Sequence, residues 1–335
     1  MSFKPIYKLR DWINQELIIT NALYRNPAAI HIIEQNLDDI RYRWHYLSGN
    51  TAAIHIIEKN LDKINWSYLS ENPAAIHIIE KNLDKCINWY YLSANPDAIH
   101  IIEKNLDKVD WGSLSSNPAA IHIIEKNLDK IDWPTLSANP NAIHILEKNL
   151  DKVNWWGLSQ NPGAIHILEK NLDKIHWPSL SLNPSAIHII EQNLDKVDWS
   201  TLSLNPRAIH LLEKNFDKIN WCGLSQNPGA IHILEKNLEK INWYLLSYNP
   251  SAIHIFEKNV DKIPWFHLSQ NPAIFVLDRD AMRKQIMNFG KRKKNNEDFG
   301  FAEELIAAVL HPRHFERNLI QYGYDICLNE YTGFD

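Results

Sequence analysis

Tryptophan recurs with a 22-residue period along most of this chain: Trp44, Trp66, Trp89, Trp111, Trp133, Trp155, Trp177, Trp199, Trp221, Trp243 and Trp265, with one 23-residue step where Cys86 is inserted. Around each Trp stands the same sentence, roughly LDKI(N/D)WxxLSxNPxAIHIIEKN. Self-similarity at a fixed period of this length means stacked units, none of which buries its apolar face alone. A chain of 335 residues would otherwise suggest two domains. The period instead predicts one solenoid over 26–278. A degenerate N-terminal capping unit precedes it (1–25), and a basic, polar junction (279–300) and a helical C-terminal cap (301–335) follow.

One unit can be read from Asn72 to Asn82. Asn72 is a preferred N-cap, because its side-chain oxygen can accept from the open amides of a first helical turn. Pro73 follows at the first helical position, where its missing N–H costs nothing. At 100° per residue, Ala75, Ile76, Ile78 and Ile79 share one face, and His77, Glu80 and Lys81 fall opposite. Asn82 is expected to end the helix in the left-handed conformation, and its column to satisfy backbone groups of the neighbouring unit.

The second half, LDKINWSYLSE, predicts a brief helical turn capped by Asn65, with Trp66 and Leu69 inward and Ser70 bonded to backbone. The Trp column, including Trp66, Trp133 and Trp199, is read as core. With Gly at only 10 positions and no two-residue hairpin signals, β-hairpin units fit poorly. The expected fold is an all-α solenoid of about twelve helix-pair repeats, on the order of 100 Å long at ~8–10 Å per unit. The spacing of Leu61, Ile64, Trp66 and Leu69 also resembles the strand of a leucine-rich repeat, so an α/β solenoid of that kind stays as the alternative.

Composition narrows the setting. With 35 Lys+Arg against 40 Asp+Glu, the net charge of -5 provides no global attraction for nucleic acid or a membrane surface. Cys86, Cys222 and Cys327 form no CxxC pair or disulfide framework. The N-terminus lacks an apolar signal region, and no run approaches the ~18–20 residues of a membrane span. A soluble, intracellular protein is expected.

The LSxNPxAIHIIEKN sentence with its preceding Trp resembles a family of repeat proteins abundant in giant DNA viruses of amoebae. Tyr7–Ile13 (YKLRDWI) and His311–Ile326 (HPRHFERNLIQYGYDI) are similar to flanks found in such proteins. The resemblance covers nearly the whole chain. It implies repeat architecture and little about activity, since that family supplies no catalytic or ligand residues to transfer.

The regular columns do not point to chemistry. Histidine recurs from His31 to His254, yet stacked helices stand ~8–10 Å apart, too far for two imidazoles to share a zinc ion at ~2.1 Å. A solvated or hydrogen-bonded ladder is expected instead. The exposed column is expected to gain positive charges one unit apart on acidification, so that stability falls as pH drops from 7 towards 5. Each Glu of the parallel column has the same Lys neighbour, with no local exception of the kind an active site needs. No phosphate loop, GxSxG or HExxH occurs, and His311 and His314 lack an acidic or Cys partner. No enzyme activity, cofactor or metal is expected. Arg279, Arg283, Lys284 and Lys291–Lys294 form the one strongly basic stretch. Glu297 and Asp298 follow it at once and no stacking aromatics accompany it, so a solvated junction is favoured over a nucleic-acid site.

Function in such an array should lie where units differ. Four positions vary: the two after Trp, the one between Ser and Asn, and the one after Pro. All four are expected to project outward as stripes, carrying Tyr46, Tyr68, Tyr90, Tyr91, Trp156, Tyr244, Tyr248 and Phe266. Exposed aromatics of this kind are enriched at interface hot spots. The sequence therefore predicts a non-enzymatic scaffold that binds a protein partner of unspecified identity. A structural or self-assembling component is the alternative, and nucleic-acid binding through 279–294 the weaker one.

Overall fold

The computed structural model describes residues 6–18, 21–37, 43–85 and 87–284. The junction from 285 onward and the expected cap over 301–335 lie outside the described residues. Each unit is a pair of short helices. In the seventh, the Trp-helix Trp155–Gln160 is capped by Asn154, whose side chain accepts from the Gly157 amide at 2.9 Å. The Pro-helix opens as a 3-10 turn, Pro162–Ala164, capped by Asn161 accepting from Gly163 N at 3.0 Å, and continues as the α-helix Ile165–Glu169. Both halves are thus helical, and the leucine-rich-repeat alternative is set aside. Among the described residues the only strands are β1 (Tyr7–Leu9) and β2 (Phe275–Leu277).

Helix ends differ from expectation. Asn36, Asn171, Asn215, Asn237 and Asn259, the counterparts of Asn82, have φ between -123° and -139°, which is not left-handed. The Asn82 side-chain amide donates instead to the Ile78 carbonyl of its own helix at 2.8 Å. It satisfies one of the four orphan carbonyls at a helix end, so no special backbone conformation is required. This column serves its own unit, not the neighbour.

The interior is aliphatic. Leu158, Ala164 and Leu168 are fully buried, and their counterparts recur in every complete unit. The Trp rings, including Trp66, Trp133 and Trp199, are only half-buried at its margin. Each is the first residue of its helix and reaches the core from the edge. In the middle of the array the open ring face is covered by a lysine of the next unit, with Lys152 Nζ 5.1 Å from the Trp133 centroid and Lys218 Nζ 4.8 Å from that of Trp199.

Units are riveted by the N-cap asparagines of the Pro-helices. Asn161 is fully buried; its amide donates to the Ser137 and Asn139 carbonyls of the preceding unit, both at 3.0 Å. Ser70 bonds to backbone as expected: its hydroxyl donates to the Trp66 carbonyl at 2.8 Å and accepts from Asn88 N of the next unit at 3.1 Å. These rivets slacken where Cys86 is inserted. Asn95 keeps one bond, to the Ser70 carbonyl at 3.3 Å; His100 stands 3.6 Å from Glu80; and Lys85 turns to Asp84 at 3.6 Å.

The array does not run out as a straight rod. β1 pairs antiparallel with β2, with Lys8 opposite Val276. Arg10 N donates to the Ile274 carbonyl at 3.0 Å, Arg10 Nε to that of Ala273 at 2.8 Å, and Asp278 N to that of Ile6 at 2.8 Å. The short helix Gln15–Ile18 packs on the last Trp-helix, Trp265–Leu268, and His31 meets Phe275 edge-on at 6.0 Å. First and last units are neighbours, so the solenoid is a closed ring. Its twelfth unit is composite: the last repeat provides Trp265–Leu268 and the turn Pro272–Ile274, and the strand Tyr7–Leu9 completes the place where a Pro-helix would stand. At ~8–10 Å per unit, twelve units give a ring about 35 Å across between helix axes. Neighbouring Trp-helices pack along their lengths, whereas Pro-helices meet mainly through their first turns. The closer-spaced layer of a ring lies inside, so the Trp-helices form the inner wall.

Candidate interaction surface

The outer wall carries the histidine column, and from His55 to His254 each imidazole is paired with a glutamate. His77 Nε2 stands 2.8 Å from Glu58 Oε1 of the preceding unit, His144 2.7 Å from Glu125, His166 2.6 Å from Glu147 and His254 3.0 Å from Glu235. The hydrogen-bonded form of the expected ladder is therefore the one present. From Glu34 to Glu235 the partner of each Glu is the next unit's His, not the adjacent Lys. The expected repulsion between free imidazoles is corrected, since positive charge on any of these rings would face a carboxylate. Both partners are about half exposed, where such a pair contributes little. Among the described residues no cluster of three or more His, Cys, Asp or Glu side chains has metal-holding geometry.

His31 departs from the column. It sits at the closure against Phe275, and burial holds its imidazole below the usual range, against the opposing pull of Glu34 and Asp278.

The inner wall carries the variation. The position after Trp and the one between Ser and Asn are a helical turn apart and face the opening. Tyr90 (60 % exposed), Phe266 (57 %), Trp156 (56 %), Tyr244 (47 %) and Tyr248 (40 %) stand there. The second position after Trp does not project freely: it turns into the joint between units. Ser113 and Ser179 are buried there, and a Cβ on Gly157 would lie 2.9 Å from the Pro134 carbonyl. For this reason Tyr68 and Tyr91 are half-buried, a correction to their reading as outward-facing residues.

The rings gather in two groups. The Arg25 guanidinium lies 5.7 Å over Tyr46 and 5.2 Å over Tyr68; His45 stacks on Tyr46 at 3.9 Å and lies 5.8 Å from Tyr68. Tyr90 and Tyr91 meet edge-to-face at 5.4 Å. In the second group Tyr244 contacts Tyr248 at 5.7 Å and His267 at 4.2 Å, and Phe266 meets His267 at 5.0 Å. The Tyr248 hydroxyl is 2.9 Å from His267 Nδ1, and its hydrogen bond with Tyr244 raises its pKa. Arg25 and Tyr248 occupy the same position in their units and both reach onto the next. Arg25, His45 and His267 were missed in the sequence because only aromatic rings were sought, although all three stand at variable positions.

In sequence these groups lie near opposite ends of the array. Ring closure joins them: units eleven and twelve run through unit one into units two to four as one arc. Trp156, in the seventh unit, stands across the opening. The rest of the inner wall carries Gly, Ser, Thr and Pro at the two positions after Trp, with Cys222 and Leu245 the exceptions. No helix among the described residues is long and apolar enough to cross a membrane. No family model, curated protein or solved structure matches the chain.

Proposed function

We propose that this helical repeat scaffold is a non-enzymatic docking ring that holds a protein partner against the aromatic arc of its inner wall. The observation that carries this reading is that ring closure makes neighbours of the units carrying Arg25, Tyr46, Tyr68 and Tyr90 and those carrying Tyr244, Tyr248 and Phe266. Tyr and Trp present large contact area at low conformational cost, and Arg joins them among hot-spot residues. The outer wall repeats the same His–Glu rung at nearly every unit and cannot fix a partner's register. Allowing for helix bulk, the opening is on the order of 20–25 Å wide, enough for a helical segment of ~10–12 Å.

The test is affinity capture from native cells with Tyr90→Ser combined with Phe266→Ser. Both side chains are more than half exposed, so the melting temperature should hold while capture falls at least tenfold. His144→Ser, on the outer wall, is the matched control and should capture normally. If the control abolishes capture and the inner-wall variant does not, the contacts belong to the regular columns and a self-assembling role replaces this one.

A further inference from the structure

The twelve joints of the ring are not equivalent, and the composite unit is the odd one. At an ordinary joint the cap asparagine is doubly bonded to the preceding unit: Asn50 Nδ2 reaches the Tyr24 carbonyl at 3.0 Å and that of Asn26 at 3.2 Å. One joint earlier, at the closure, Asn26 Nδ2 is buried with no partner. Trp12 Nε1 is in the same condition. Both donors belong to the first unit and the segment leading into it. A buried donor without a partner penalises the closed state and is relieved by water once the joint opens.

What holds the outer layer at this joint is also of another kind. A three-residue strand pair with the flanking Arg10 and Asp278 bonds stands where other joints have helix against helix. The joint slackened by Cys86 still keeps its Asn95–Ser70 bond and both helices. On the other side of the balance, Ile13, Ile18 and Phe275 are buried at the closure and hold it shut most of the time.

We infer that the composite unit is the ring's gate, the single joint at which the annulus opens, by release of β1 from β2, with every other unit intact. Opening of this kind is a local unfolding event, well below global unfolding in free energy. The gate stands on the closure geometry alone; its use, giving an elongated partner sideways access to the inner wall, rests on the docking reading above.

Amide hydrogen exchange on the full chain tests it without any partner. The strand-flanking amides of Arg10 and Asp278 should exchange at least 100-fold faster than mid-array amides such as Leu158 and Asn161. Lys8→Cys with Val276→Cys, in a background with Cys86, Cys222 and Cys327 replaced by Ser, places two thiols directly across the strand pair. Opposed residues of an antiparallel pair lie ~4.5–5.5 Å apart between Cα atoms, within disulfide reach. Oxidation should slow the Arg10 and Asp278 amides at least tenfold and leave the Leu158 amide unchanged; reduction should restore the fast exchange. Seam amides protected as well as Leu158 in the unmodified protein would overturn the gate, as would exchange unaffected by a disulfide confirmed by mass.

Discussion

Asn183 Nδ2 lies 3.2 Å from the backbone carbonyl of Asn161, the residue with the identical role one unit earlier. The same amide donates to the Ser159 carbonyl at 3.1 Å, while Asn183 Oδ1 caps its own helix at Ser185 N, 3.0 Å away. One buried side chain thus starts a helix and fastens two units. Asn183→Ala removes a cap and strands two buried carbonyls, and should cost ~2–4 kcal/mol. Asn171→Ala removes one bond to the Ile167 carbonyl at a part-exposed helix end and should cost ~1 kcal/mol or less. Denaturant titrations of the two variants check the order; equal losses would mean the first column carries no special weight.

Trp133 caps the core margin beneath Lys152. Trp133→Ala should therefore destabilise by about 2 kcal/mol, short of the ~3–5 kcal/mol of a fully buried aromatic. Indole emission should report a partly wet environment. A loss above 4 kcal/mol with fully blue-shifted emission would return the column to the core.

Cys86 interrupts the period and loosens the joint that follows. Its deletion should restore the second Asn95 bond, draw His100 onto Glu80 and lay Lys85 over Trp66. A gain of ~1 kcal/mol is expected, the size of a modest set of part-exposed polar contacts. A lowered denaturation midpoint would show that the extra residue relieves strain in the ring.

His31 gives stability a small pH dependence. Burial lowers its pKa below the usual 6.5, so the unfolded chain binds a proton more readily than the folded one. Its contribution is complete above about pH 6.5 and is lost as pH falls from there through the depressed value. His31→Leu removes that titration, so its melting temperature should fall less between pH 7 and 5 than that of the parent. Parallel losses would place the acid sensitivity elsewhere.

Closure itself predicts a scattering profile. A ring of this size, with the Pro-helices outside the Trp-helices, has a maximum dimension of about 65 Å, whereas the same units laid out straight span about 100 Å. A truncation lacking residues 1–11 should lengthen the particle; an unchanged profile would mean that β1 does not hold the circle.

The units were legible because each rule acts within a few residues. Asn72–Pro73 announced a helix start, and Asn65 with Trp66 the second helix. Closure was not legible, because it depends on the small turn between units, which no single residue encodes. Phe275 in place of His marked a break in the pattern without naming Tyr7–Leu9 as its partner 266–268 residues away. The two asparagine columns are alike in composition, so only the packing assigns the rivets to Asn72 and its counterparts and leaves Asn82 to its own helix. Tyr68 and Tyr91 are half-buried for a similar reason: the second position after Trp faces a joint, and joints have no signature along the chain.

A circle also fixes its own membership. An open stack can gain or lose a unit at either end and change only in length. Twelve units that close must each turn by roughly 30°, and a thirteenth would ask every joint to give up about 2°. The near-identical sentences of this chain suggest growth by copying, yet each further copy would leave β1 and β2 out of reach of each other unless all twelve joints yielded together. Copy number, free to drift in a linear repeat gene, is here set by the need for the two ends of the array to meet.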